Sequence, residues 1–195
     1  MIIAGIDGSL SSTGFCSMRD GSVIACGQYE DKEQLMMPFR MRRIASVVVG
    51  SIIYQVEKGE EVNVFTEEPC GALQGYAANL NALYWFIVEE FYSVQSANQI
   101  VVNIYPVAQK SLTKFITGNG NAKHKDKAYS VTQTWMELLP EEFHVTDSTK
   151  PKGIMKYADL FDALSLCKLG ECFFNSEGFE KYQVEIAGKI GRLNG

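Results

Sequence analysis

The sequence predicts a layered α/β protein, with helices packed on a β-sheet. Three observations carry that expectation. The chain opens with a short apolar strand and a tight-turn dipeptide between two more strand-like runs. It then alternates apolar strands with helical periodicity, and near its end comes a helix that is apolar almost all round. Ile2 to Asp7 is a run of apolar and small residues, the pattern of a strand covered on both faces. Gly14 to Arg19 and Ser22 to Gln28 flank Asp20-Gly21, whose backbone tolerates the positive φ of a hairpin turn, so the chain starts with three meandering strands.

Helical spacing follows from Lys32 to Lys58, with Leu35, Phe39, Val47 and Ile53 on the pattern and Gly59 as the stop. Val62 to Thr66 is a fourth strand ending in Glu67-Glu68-Pro69, Tyr76 to Ser96 a long helix, and Ile100 to Tyr105 a fifth strand. Pro106 suits the first turn of another helix running to about Ile116, because its missing N–H would have no partner there. Thr117-Gly118-Asn119-Gly120-Asn121 breaks that helix, a basic helix follows from about Lys123 to Leu138, and Pro140 to Gly153 has the turn formers and charges of a mobile loop. The helix KYADLFDALSL completes the pattern. The apolar positions Leu80, Leu83, Tyr84, Ile87 and Phe91 of the long helix fit either the core or a second subunit.

At 195 residues, 46% of them hydrophobic, the chain is expected to form one domain over 1–195 with a full core. MIIAGID is too short and lacks the basic flank of a signal peptide, and no apolar run reaches membrane length. A soluble, cytoplasmic protein is expected, without membrane contact. Five cysteines at irregular spacing, with no CxxC and only two histidines, argue against a disulfide framework or a zinc site. A net charge of -5 argues against indiscriminate nucleic-acid binding over the whole surface. Local basic clusters remain at Arg40, Arg42 and Arg43, and at Lys110, Lys114, Lys123, Lys125 and Lys127.

Four acids stand where a two-metal phosphodiesterase would need them: Asp7 and Glu67 at strand ends, Asp159 and Asp162 three apart on a helix. Like-charged carboxylates forced together repel unless a cation neutralises them, so a divalent metal belongs to this expectation. Each acid has an ordinary alternative. Asp7 before Gly8 and Ser9 could form a turn, and Glu67 could be a solvated strand end. Strand alternation allows only one of Glu67 and Glu68 to share Asp7's side. Asp159 and Asp162 interrupt an apolar line between Met155 and Leu166, and buried acids need partners. TGNGNAKHKDK joins a glycine turn to lysines at a helix start, a combination suited to phosphate. His124 could contact DNA, and neither it nor His144 pairs with a nucleophile.

These segments resemble, in order from Met1 to about Leu169, the RuvC family of Holliday junction resolvases within the ribonuclease-H-like superfamily. MIIAGIDGSLSSTGF is similar to the family's opening strand, VFTEEP to its second acidic motif, YPVAQKSLTKFITGNGNAKHKDKAYSV to its Tyr-Pro and Gly-Asn-Gly region, and YADLFDALSL to its final helix. The resemblance implies a ribonuclease-H-like mixed five-stranded sheet, three antiparallel strands then parallel ones, with helices on both sides. It also implies a homodimer on a four-way DNA junction, each subunit nicking one strand. Asp7, Glu67, Asp159 and Asp162 match the family's metal-binding acids. Lys114 and either Lys123 or Lys125 match its basic residues near the scissile phosphate, and Lys110, Asn119 and Lys127 join them as DNA contacts. Two magnesium ions per site are implied, or manganese in their place. Two ions about 4 Å apart can activate water for in-line attack and stabilise the leaving oxygen.

Some residues depart from the family pattern. Gly8 stands where bacterial members have Pro, and Cys70 where they carry an aromatic near the junction crossover, leaving Tyr76 or another residue for that work. Such departures look phage-type or divergent, and a phage-encoded protein would act in the cytoplasm of its bacterial host. Other substrates for the same acids are flaps, forks and RNA-containing duplexes. GIDGSLSSTG also resembles the ATP phosphate loop of actin-like proteins, but 195 residues leave no room for the second lobe that fold requires.

Overall fold

The computed structural model describes residues 1–32, 36–68, 75–145 and 154–193. Strands β1 (Ile2–Asp7), β2 (Thr13–Arg19) and β3 (Ser22–Tyr29) lead into helix α1 (Met37–Ile53), strand β4 (Glu61–Glu67), helix α2 (Gly75–Asn98) and strand β5 (Val101–Val107). Helices α3 (Gln109–Thr117) and α4 (His124–Thr134) follow, then two short 3-10 turns (Met136–Leu138 and Glu141–Phe143), α5 (Ala158–Phe174) and α6 (Lys181–Ala187). The sheet order is β3-β2-β1-β4-β5. β1 runs antiparallel to β2 and β2 to β3, whereas β1 with β4 and β4 with β5 are parallel. The expected mixed five-stranded sheet is therefore present, with three meander strands first.

The hairpin between β2 and β3 turns at Asp20 (φ 51°) and Gly21 (φ 78°), the conformation the Asp-Gly pair predicts. Pro106 is the main departure. It lies inside β5, opposite Thr66, and α3 begins only at Gln109. β5 is an edge strand, where a residue without an N–H costs the ladder little. α1 is shorter than its periodicity suggests: it starts at Met37 with Pro38 in its first turn and ends before Gly59. Leu35, Cys70 and residues 146–153 lie outside the described residues. Four of the five cysteines are described, all free, and Cys16, Cys167 and Cys172 are buried.

Strand alternation divides the core into two layers. Ile2, Ala4 and Ile6 of β1 and Val62 and Val64 of β4 face α1 and α2, where Leu83, Tyr84, Ile87 and Phe91 complete the packing. The apolar face of α2 thus belongs to the chain's own core. Ile3, Phe65, Tyr105 and Val107 face the opposite way, onto α5 with α3, α4 and α6 behind it. Full burial of a side chain such as Phe91 or Phe161 contributes about 2–3 kcal/mol. α5 is buried nearly all round because it lies between the sheet and the other helices. Among the described residues no helix is long and apolar enough to cross a membrane.

Candidate active site

Position along parallel neighbours brings the first two acids together. Ile6 pairs with Thr66, so Asp7 and Glu67, one residue further on, leave adjacent strands at the same end. Their odd-numbered neighbours Ile3 and Phe65 pack on the α5 side, and the alternation carries Asp7 and Glu67 to that side too. Strand parity thus selects Glu67 over Glu68. Glu68 is exposed, and its N–H donates to Val107 O at 2.8 Å.

The third and fourth acids arrive because α5 lies almost on the backbone of β1 and β2. A Cβ at Gly5 would collide with Ala163 O, and one at Gly14 with Asp159 O. Only glycine permits that approach. It sets Asp159 and Asp162, neighbours on one helical face, over the end of β1. All four acids line one cleft of about 490 Å³, together with Lys110, His124, Lys127 and the exposed Tyr76.

A lysine and a histidine from α4 meet Asp162. The Lys127 ammonium donates to Asp162 Oδ2 at 2.6 Å, and His124 Nε2 stands 3.3 Å from the same oxygen. Asp162 is 3% exposed, and its other oxygen, Oδ1, is buried without a hydrogen-bond partner among the described residues. The acids still crowd one another. Burial, then the charges of Glu67, Asp162 and Asp159, push the Asp7 carboxyl well above its usual range. Glu67 is pushed up to about 7, chiefly by burial against the opposing pull of Lys127. Asp159 rises as well, by burial and by Asp162. His124 rises through its bond to Asp162; Lys127, which burial alone would lower, is held above its usual value by Asp162, Glu67 and Asp7.

Among the described residues no three His, Cys, Asp or Glu side chains form a ready-made metal cage. Lys127, paired with Asp162, fills the role of a counter-ion. The donor chemistry nonetheless fits a hard divalent cation: carboxylate oxygens converge, burial and then the neighbouring acids raise the Asp7 carboxyl, and Asp162 Oδ1 lacks a partner among the described residues. Asp7, Glu67, Asp159 and Asp162 are the residues that could hold it.

The predicted basic residues divide into those on the cleft and those beside it. Lys110 lines the cleft, whereas Lys114 is exposed one turn along α3, its Cβ toward Gly120 of the following turn. Lys123 caps α4, its N–H donating to Asp126 Oδ2 at 3.2 Å, and Lys125 is exposed; neither is among the residues lining the cleft. Asn119 Oδ1 accepts the Asn121 N–H at 3.0 Å and so shapes the turn itself. The lysine brought to the acids is Lys127. Sequence reasoning placed it only among DNA contacts and gave His124 no link to the acids. The available signal was a lysine in the buried stripe of α4 beside Ala128 and Val131, with a histidine three residues before it.

No protein-family model and no curated protein matches the sequence. Solved structures do match. Thermus thermophilus RuvC aligns with 99% of this chain and 100% of its own, at TM-score 0.59 and 14% identity. The chain has the RuvC fold. The same bacterium's RuvC, in complex with Holliday junction substrate, aligns over 92% of this chain and 98% of its own, at TM-score 0.59 and 15% identity. The yeast mitochondrial Holliday junction resolvase covers 96% of this chain and 80% of its own, at TM-score 0.53 and 9% identity. The ribonuclease-H-like sheet expected from the sequence is the one RuvC has.

Proposed function

We propose that residues 1–195 form a single nuclease domain, a metal-dependent endonuclease that resolves four-way DNA junctions by paired nicking. The observation that carries this reading is the convergence of carboxylates in one cleft: four acids from the beginning, middle and end of the chain against Lys110, Lys127 and His124. The RuvC fold supports it further, since the T. thermophilus protein with that fold has been solved on a Holliday junction. Asp7, Glu67, Asp159 and Asp162 would hold two magnesium ions, or manganese in their place. Bound there, the ions would activate a water for in-line attack and stabilise the leaving oxygen.

The protein's own cations handle the phosphate. Lys127, once released from Asp162, neutralises charge building on the scissile group, and Lys110, which also lines the cleft, assists it. Lys114, Lys123 and Lys125, exposed beside the cleft, reach flanking phosphates. A C2 homodimer presents two such clefts to the two-fold junction.

The test is to incubate the purified protein with a synthetic mobile four-way junction, a flap, a replication fork and an RNA–DNA hybrid, each with and without magnesium. Paired, symmetric nicks in the junction, only with metal, are expected. Preference for the flap, fork or hybrid would move the protein to another ribonuclease-H-like activity, and metal-independent cleavage would overturn the reading.

A further inference from the structure

We propose that His124 is a nitrogen ligand to the cation that Asp162 binds, giving the site a mixed oxygen and nitrogen donor set that favours a first-row transition ion such as manganese over magnesium. The inference rests on the metal-dependent reading above and adds a ligand to it. Two groups on one face of α4 reach the same carboxylate oxygen: Lys127 Nζ at 2.6 Å and His124 Nε2 at 3.3 Å. They differ in what they can become when a metal arrives. An ammonium has no lone pair and can only leave. An imidazole exchanges its proton for the metal and keeps its place.

The distances agree with that exchange. Two donors at right angles around one small divalent ion, each about 2.1 Å from it, lie about 3 Å apart. His124 Nε2 and Asp162 Oδ2, at 3.3 Å, are already close to that separation. A second observation points the same way: Asp162 is 3% exposed, lines the cleft, and has a buried Oδ1 with no hydrogen-bond partner among the described residues. The His124 ring is 48% exposed and lines the cleft, so it is not a histidine spent on the core. His144, the other histidine, has its Nε2 2.8 Å from Leu139 O. Magnesium prefers oxygen ligands and retains its waters, whereas nitrogen donors raise affinity along the first transition series, so His124 separates the two kinds of ion.

The experiment uses the full chain loaded with manganese and pulsed electron-spin resonance, which detects a directly bound nitrogen. Wild type and His144→Ala are expected to show imidazole nitrogen modulation, and His124→Ala and His124→Phe to lose it. The phenylalanine variant keeps the ring volume, and circular dichroism checks the fold of both. By calorimetry, His124→Ala is expected to lose roughly tenfold in manganese affinity and distinctly less in magnesium affinity. Nitrogen modulation that survives His124→Ala, or equal losses for both metals, would overturn the proposal. Wild type that binds manganese and nicks junctions without a nitrogen signal removes this inference alone. A chain that binds neither ion removes the nuclease reading with it.

Discussion

At the starting end of β1 and β4, Glu60 receives the Arg19 guanidinium through Nε at 3.2 Å and Nη2 at 2.7 Å, and Arg19 also donates to Gln55 O at 2.8 Å. At the finishing end of the same two strands, four acids line one cleft with Lys110, Lys127 and His124, the last two paired with Asp162. The Arg19 hydrogen bond lowers Glu60 below its usual range, whereas Asp7, Glu67 and Asp159 are all raised. One end of the sheet has closed its charges on itself. The other has left negative charge over, and a fold that tolerates such an imbalance keeps it for something outside the chain. Substitutions at the two ends should therefore differ in size and in their response to metal.

The largest contrast is expected at Asp7. Asp7→Asn should reduce nicking of a four-way junction by roughly three orders of magnitude while junction binding persists, and Glu60→Gln should leave nicking unchanged. The same Asp7→Asn protein should melt at a higher temperature than wild type in metal-free buffer at pH 8, because a crowded negative charge has gone. Gel-based nicking and thermal melts measure both effects. A lower melting temperature would mean that Asp7 holds the fold rather than an ion.

Next in size is Lys127. Lys127→Met leaves a buried aspartate whose Oδ2 loses its 2.6 Å partner and keeps only His124 at 3.3 Å, and breaking such a pair from one side costs about 3 kcal/mol. Urea unfolding without metal should show that loss, and saturating magnesium should recover part of it by supplying the missing positive charge. Loss without recovery would make Lys127 a packing residue.

Much of this comparison was legible in the sequence, and the limits of legibility are physical. Asp7 and Glu67 could be read because strand ends follow from short apolar runs, and Asp159 with Asp162 because two acids three apart in an apolar helix are conspicuous. Glu67 and Glu68 remained open until the register of β4 against β1 fixed which faces α5. Pro106 misled because a proline after an apolar run serves a helix start as well as an edge strand, and edge position is a property of sheet order. The convergence itself depends on Gly5 and Gly14, whose purpose becomes visible only when α5 lies across them. Lys127 and His124 were obscured by two other basic residues, Lys123 and Lys125, within the same five-residue stretch; only helical phase against α5 separates them.

Acidity offers a gentler way to sharpen the contrast. Glu67 has a folded value of about 7 against an ordinary 4.5, so the stability it contributes is full below about 4.5 and is lost as pH rises through 7. His124, also raised, loses its contribution in the same direction above its ordinary 6.5. Metal-free protein should thus melt lower at pH 8 than at pH 5, by roughly 5 °C. Magnesium should raise the melting temperature more at pH 8, where the carboxylates are free to bind it. Glu60, lowered, works in the opposite sense: its contribution is present above 4.5 and fades as pH falls through its depressed value. A Glu67→Gln variant should flatten the neutral side of the profile and leave the acid side alone.

The smallest effect is expected at Arg19, and its smallness is informative. Its side chain is 31% exposed and Glu60's 19%, so water screens the pair and solvates either partner left behind. The Met1 amino group, 3.7 Å from Glu60, and the Glu57 N–H, which donates to Glu60 Oε2 at 3.0 Å, remain to hold the carboxylate after Arg19→Met. Thermal melts of Arg19→Met should be barely separable from wild type at pH 8 and should respond to magnesium in the same way. A loss rivalling that of Lys127→Met would mean that the starting end of the sheet is as electrostatically committed as the cleft, and the distinction between a closed pair and an open excess of charge would fail.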